Sequence, residues 1–275
     1  MFNFATQPQS IVRIFSDSTR LYKTTFLKIW LWQLLWQIPL LILSLLDDNS
    51  PIAHQLNLPN GTFFSIAGAI LALACVLVPL FGCLFNFHRI YNLVTPPYLT
   101  SRASLKIALK KLLPAIGATL LIFIIPTLLW GLVIGVEILL KFISIPLLII
   151  LMIVVGIPLL FATLFFFFLV GYYQLAMVLD NCSAVKSIKA SCKLVWGHWW
   201  RNFFVLLVFS IIQALVTLLA LMLTSFLFSS LPTLGLVIGM IMVATISLWG
   251  FSVLLVQFND LKLRQQRKSL QVAPA

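Results

Sequence analysis

The chain has 275 residues, 62% hydrophobic and 9% charged, with a mean hydropathy of +1.12; soluble domains are roughly 45–50% apolar and about 25% charged. A water-soluble fold of this size cannot hide so much apolar surface, so the excess must face lipid. The net charge of +12 then points to cytoplasmic loops and anionic headgroups rather than to nucleic acid.

Read in chain order, the sequence predicts an all-α polytopic membrane bundle of six transmembrane helices with about three amphipathic interfacial helices on the cytoplasmic side. Residues 1–25 place Arg13, Asp17 and Arg20 on one helical face and Val12, Phe15 and Tyr22 on another, the pattern of a helix lying in the interface. The first span is expected over residues 26–46. It is long enough to cross and lacks a small-x-small cleavage site, so it is expected to stay as an anchor. Gln33 and Gln37 stand one turn apart on it, and amides at membrane depth usually bond a neighbouring helix. Asp47 to Thr62 reads as a short outer loop, with two prolines and an Asn-Gly turn. The second span covers 63–85 and leaves into Asn86, His88 and Arg89.

After Pro96 and Pro97, the cations Arg102, Lys106 and Lys110 recur every four residues, a second basic amphipathic helix. The third span covers 112–136, with Pro114 and Pro126 inside it. Glu137 and Lys141, at i and i+4, suit an interfacial ion pair. The fourth span is 145–170. Lys186, Lys189 and Lys193 then share one face opposite Val185, Ile188, Cys192 and Val195, and Trp196, Trp199, Trp200, His198 and Arg201 follow in the mixture that collects at headgroup depth. The fifth span is 203–228. A tight turn at Ser229 to Thr233 leads to the sixth, 234–256, and residues 257–275 read as a cytoplasmic tail, disordered at its end.

With six spans, seventeen of the eighteen Lys and Arg fall on the side holding both termini. The excess of cations on one side places that side, and both termini, in the cytoplasm. Helical spans further place the protein in an inner membrane if the host has two. The whole reads as one membrane domain, 1–275, with a three-fold repeat over 10–94, 100–178 and 182–268 as one reading and plain alternation of spans with basic loops as the other. In the repeat reading Ser18, Arg20 and Leu21 match Ser191, Lys193 and Leu194.

Gly131 and Gly135, and Gly235 and Gly239, form GxxxG pairs near the outer ends of spans three and six. Small residues let helices approach closely, so the outer half is expected to be the tight part of the bundle.

No ionisable group lies near a midplane, and no HExxH, GxSxG, P-loop or dinucleotide-binding glycine pattern occurs, so no catalytic, metal or cofactor residues are assigned. Cys75, Cys83, Cys182 and Cys192 form no CxxC, which supports neither a disulfide framework nor a zinc site. The remaining chemistry is cationic. Arg102, Lys106, Lys110, Lys186, Lys189, Lys193, Trp199, Trp200 and Arg201 are the candidate contacts to an anionic inner leaflet, with topology alone as the competing role. Three function classes follow. One is a non-enzymatic protein engaging anionic phospholipid or a cytoplasmic partner. Another is a permease using Gln33, Gln37, Gln174 and Gln213, and the last is a structural subunit of a larger complex or homo-oligomer.

Ser191 to Phe204, SCKLVWGHWWRNFF, preceded by Ala184 and the end of a span, resembles the membrane domain that accompanies some glycerophosphoryl diester phosphodiesterases. It is also similar to related six-span inner-membrane proteins of Gram-negative bacteria that lack the enzyme. That resemblance implies phospholipid or envelope biology and supplies no catalytic residues, because no phosphodiesterase domain follows the sixth span in this sequence.

Overall fold

The computed structural model describes residues 2–46, 66–96, 98–141, 150, 152–228 and 232–272, and among these every regular element is helical. They are α1, Ile11–Leu46; α2, Ile66–Val94; α3, Ser101–Lys141; a π-helical turn, Met152–Gly156, leading into α4, Ile157–Val170; α5, Tyr173–Leu179; α6, Ala184–Trp196; α7, Trp199–Phe228; and α8, Pro232–Val272. The loop Asp47 to Thr62, residues 229–231 of the tight turn and the last three residues of the tail lie outside the described residues, as does the Lys141 side chain expected to pair with Glu137.

Among the described residues five stretches are long and apolar enough to cross a bilayer: Ile70–Val94, Ser101–Ile138, Met152–Leu179, Trp199–Leu223 and Val237–Leu270. This is the makeup of a multi-pass helical membrane protein. The remaining expected span, 26–46, is the second part of α1.

The helices are longer than the spans read from sequence. α1 has 36 residues and α3 has 41, or about 54 and 62 Å at 1.5 Å per residue, against a hydrocarbon core of about 30 Å. The first two basic segments are therefore not separate interfacial helices. Each is the opening of the helix that continues into the span. No Gly or Pro stands between Ile11 and Ile38, or between Ser101 and Leu113, so nothing breaks the backbone hydrogen-bond ladder at the membrane boundary. Only the third basic segment is a helix of its own, because α6 stops at Gly197. α2 likewise stays helical to Val94 instead of leaving at Phe85, and α8 continues through the expected tail to Val272.

The chain divides into two compact units, residues 1–112 with 203–275, and residues 113–202; their boundaries fall inside α3 and α7 rather than at the repeat boundaries. In the first unit α1 buries Ile14, Ser18, Leu21, Thr25, Ile29, Gln33 and Trp36, a stripe with steps of three and four residues. Along α8 this stripe runs antiparallel: Trp249 Nε1 donates to Thr19 Oγ1 at 3.2 Å and Trp30 Nε1 to Thr245 Oγ1 at 3.3 Å. Against α2, Asn86 Nδ2 donates to Gln33 Oε1, and a Cβ on Gly82 would lie 2.6 Å from Trp36 Cγ. Gly82 is thus what lets the indole lie across α2.

In the second unit the later part of α3 packs beside α4. Trp130 Nε1 donates to Thr163 Oγ1 at 3.2 Å, the Thr119 and Tyr173 hydroxyls are 2.8 Å apart, and the Phe123 and Phe167 rings meet at 5.6 Å. Asn181, with φ 54°, turns the chain from α5 into α6, a left-handed position that Asn tolerates better than most residues.

The two glycine pairs sit in different surroundings. Fully buried side chains gather at Ile14–Ile29, Leu84–Ile90 and Val253–Leu261 in one unit, and at Val170–Met177 and Ser187–Asn202 in the other. Apart from the helix's own backbone, no described atom lies within 4 Å of where a Cβ on Gly131 or Gly135 would sit. Gly235 is buried and Gly239 half-buried. The spacing of Gly131 and Gly135 is that of a packing motif, but no described helix opposes it, and the neighbouring Leu128 and Leu132 are exposed.

Candidate functional site

α6 has the strongest division between faces. Lys186, Lys189 and Lys193 are exposed, and Ser187, Ser191, Leu194 and Val195 are buried. At its end Gly197 and His198 turn the chain into α7. Trp199 and Trp200 stack with ring centroids 4.0 Å apart, and Phe165 meets Trp199 edge-on at 5.3 Å. Trp196 and Trp200 stay 68% and 59% exposed. Two large indoles left uncovered next to three lysines is an expensive arrangement in water and a natural one at the headgroup layer. Arg201 is half-buried.

The buried face of α6 is fixed by the break in the span before it. α4 ends at Val170 and α5 begins at Tyr173, which frees backbone groups that an unbroken helix would pair. Ser191 Oγ donates to the Leu169 carbonyl at 2.7 Å and accepts the Tyr172 N–H at 3.1 Å. The Tyr172 hydroxyl donates to Asn202 Oδ1, and Asn202 Nδ2 donates to the Phe168 carbonyl at 3.4 Å. All three side chains are fully buried. An irregular backbone at membrane depth is tolerated where neighbours satisfy its polar groups, and here the neighbours are Ser191 and Asn202 of the stretch SCKLVWGHWWRN. With those two turned inward, Lys193 and Trp200 of the same stretch face out.

On α3, Arg102, Lys106 and Lys110 are exposed along its first three turns. Their helix is anchored from the opposite side by Ser104, fully buried, whose Oγ lies 3.0 Å from His88 Nδ1. Asn92 Nδ2 approaches the same nitrogen at 2.8 Å. A serine beside a histidine invites a nucleophilic reading, but no substrate carbonyl can reach a hydroxyl with no exposed surface. The pair instead ties the end of α2 to the start of α3. Thr100 caps α3 by accepting the Ala103 N–H at 3.3 Å, and Arg89 Nη1 donates to the Leu99 carbonyl at 2.6 Å. His88 therefore sits inside a helix contact, where the sequence placed it in a loop.

Sequence reasoning missed a clamp on the N-terminal segment. The Asp260 side chain is fully buried; it accepts the Gln9 N–H at 2.6 Å and Arg264 Nε at 2.9 Å, and Arg264 Nη2 donates to the Gln9 carbonyl at 2.8 Å. Asn259 Nδ2 donates to the Ala5 carbonyl at 3.2 Å, and Phe4 stacks on Tyr91 at 5.8 Å. The i, i+4 spacing of Asp260 and Arg264 was the one available signal, and it says nothing of a partner 251 positions away.

Of the four glutamines assigned to a permease path two have side-chain partners, while Gln213 Oε1 is buried with no hydrogen-bond partner among the described residues. Gln33 meets Asn86, and Gln174 Nε2 donates to the Tyr173 hydroxyl at 3.0 Å. Cys75, Cys83, Cys182 and Cys192 form no disulfide, and burial pushes the Cys192 thiol up. Among the described residues no three His, Cys, Asp or Glu side chains come together as a metal set.

Comparison with protein-family models, curated proteins and solved structures gives no match. Any functional reading therefore rests on the residues themselves.

Proposed function

We propose that the chain is a non-enzymatic inner-membrane protein whose cationic helix faces engage anionic phospholipid at the cytoplasmic leaflet, in envelope or lipid homeostasis. The observation that carries this reading is the face of α6: Lys186, Lys189 and Lys193 exposed, the opposite side pinned by Ser191, and Trp196 and Trp200 uncovered at its end. Each cation near an anionic leaflet adds about 1 kcal/mol. The resemblance of Ser191 to Phe204 to the phosphodiesterase-associated membrane domain agrees with a lipid setting.

Orientation with both termini inside has its own support. Gln9 and Ala5 bond Asp260, Arg264 and Asn259, which supports placing the two ends of the chain on one side. An even number of crossings follows, and six is reached by counting residues 26–46 of α1 with the five other spans. The distribution of Lys and Arg makes that side cytoplasmic.

The test is native mass spectrometry of protein extracted in mild detergent, comparing wild type with the Lys186→Gln, Lys189→Gln, Lys193→Gln triple variant. The expected result is retained anionic phospholipid in the wild type and an affinity for it roughly a hundredfold lower in the variant, the effect of losing three such charges. Equal lipid in both proteins, or none in either, returns these lysines to topology alone.

A further inference from the structure

Three serines stand at matching places in the chain: Ser18, Ser104 and Ser191, separated by 86 and 87 residues. Each opens the pattern Ser-x-basic-aliphatic: Ser18-Thr19-Arg20-Leu21, Ser104-Leu105-Lys106-Ile107 and Ser191-Cys192-Lys193-Leu194. All three serines are fully buried. Eleven residues on, Ile29, Ala115 and Asn202 are fully buried as well. Two residues on, Arg20, Lys106 and Lys193 are all exposed. Nine residues on, Leu27, Leu113 and Trp200 are exposed at 83%, 78% and 59%. Plain alternation of spans and basic loops has no reason to hold burial in register residue by residue, whereas a repeated unit does.

We propose that each unit of the repeat carries one anionic-lipid site, so that the chain has three. The first, on α1, is formed by Arg20 and Lys23 with Leu27 and Leu31 as its apolar floor. This rests on the lipid reading of α6 and extends it to a helix that carries none of the candidate contacts on α3, α6 and α7. The exposed stripe of α1 changes along its length from Arg13, Ser16, Arg20 and Lys23 to Leu27, Leu31 and Leu35. Arg13 is already engaged with Asp17 at 3.9 Å, whereas Arg20 and Lys23 share no ion pair with a described acid. On a continuous helix the seven residues from Arg20 to Leu27, like those from Lys106 to Leu113, rise about 10 Å. Headgroups occupy roughly 5–8 Å on each side of the hydrocarbon, so a leucine just inside the hydrocarbon puts its cation at phosphate level, with the flexible stem taking up the difference. An anionic headgroup with acyl chains fits this order of charge and grease. A soluble anion has no use for the leucines.

The experiment is titration of purified protein with phosphatidylglycerol under native mass spectrometry, counting lipids bound before non-specific addition begins, with phosphatidylcholine as control. Wild type is expected to fill three sites with phosphatidylglycerol and none of these with phosphatidylcholine. The Arg20→Gln, Lys23→Gln variant is expected to fill two, with the third step weakened about thirtyfold, and the charge-keeping Arg20→Lys, Lys23→Arg variant to fill three. The same loss of one site is expected for the Lys186, Lys189 and Lys193 variant. If that variant loses a lipid while the α1 variant does not, the three-site proposal is wrong and the α6 reading stands. If neither loses one, both readings fall.

Discussion

The two units solve the same problem by different means. In the unit built on α1, α2 and α8 the helices run unbroken and close on one another through side chains: Gln33 on Asn86, Ser104 on His88, Trp36 over Gly82. In the unit of residues 113–202 side chains also join α3 to α4 and α5, but a span is broken at Gly171 and Tyr172, and the contacts that close that break go to backbone, from Ser191 to Leu169 and Tyr172 and from Asn202 to Phe168. A buried serine 87 residues from its counterpart thus has a side-chain partner in one case and two backbone partners in the other. The lesson is energetic. Losing Ser104 leaves a histidine that still has Asn92, whereas losing Ser191 takes a contact from two buried peptide groups at once.

The largest expected effect follows from that contrast. Ser191→Ala takes a partner from a buried carbonyl and from a buried N–H, at about 1–3 kcal/mol for each, so a loss of about 2–6 kcal/mol is expected. Ser104→Ala should lose about 1 kcal/mol, because Asn92 remains 2.8 Å from His88 Nδ1. Reversible unfolding followed by tryptophan fluorescence in lipid-detergent mixtures measures both. Equal losses would show that the break at Gly171 is not held by Ser191 and would remove the distinction between the two units.

Next in size is the close contact of α1 on α2. A Cβ at Gly82 would meet Trp36 at Cγ, Cδ1 and Cβ within 2.6–2.9 Å, atoms near the root of the side chain that cannot swing aside. Gly82→Ala is therefore expected to destabilise by about 1–3 kcal/mol, overriding the helix propensity gained from alanine. The same unfolding assay decides it, and a neutral result would mean that α1 and α2 are further apart than these contacts require.

Much of the fold was legible because its signals are local. Hydropathy marked the apolar stretches, and the recurrence of Lys and Arg every three or four residues marked the amphipathic faces of α1, α3 and α6. What sequence could not show depends on partners far away in the chain. Asn86, His88 and Asn92 look like a chain leaving the membrane, and only Gln33 and Ser104 make them interior. Gln9 has no reason to be buried until Asp260 and Arg264 reach it. Ser191 and Asn202 were noticed as letters of a motif, but their work is defined by a break in a different helix, which nothing near them announces.

The smallest effect tests the opposite kind of site. Gly131 and Gly135 have the spacing of a helix contact, and no described neighbour lies within 4 Å of where an added methyl would sit. Gly131→Ala should therefore leave stability unchanged or raise it by less than about 1 kcal/mol through helix propensity alone. Size-exclusion chromatography with light scattering, run beside the unfolding assay, sharpens the outcome. An unchanged mass and melting point place that face of α3 against lipid, as its exposed Leu128 and Leu132 suggest. A drop in either would mean that a helix from another chain lies against those glycines, and the open end of this unit would then be an assembly surface, with the difference between the two units lying in their partners rather than in their packing.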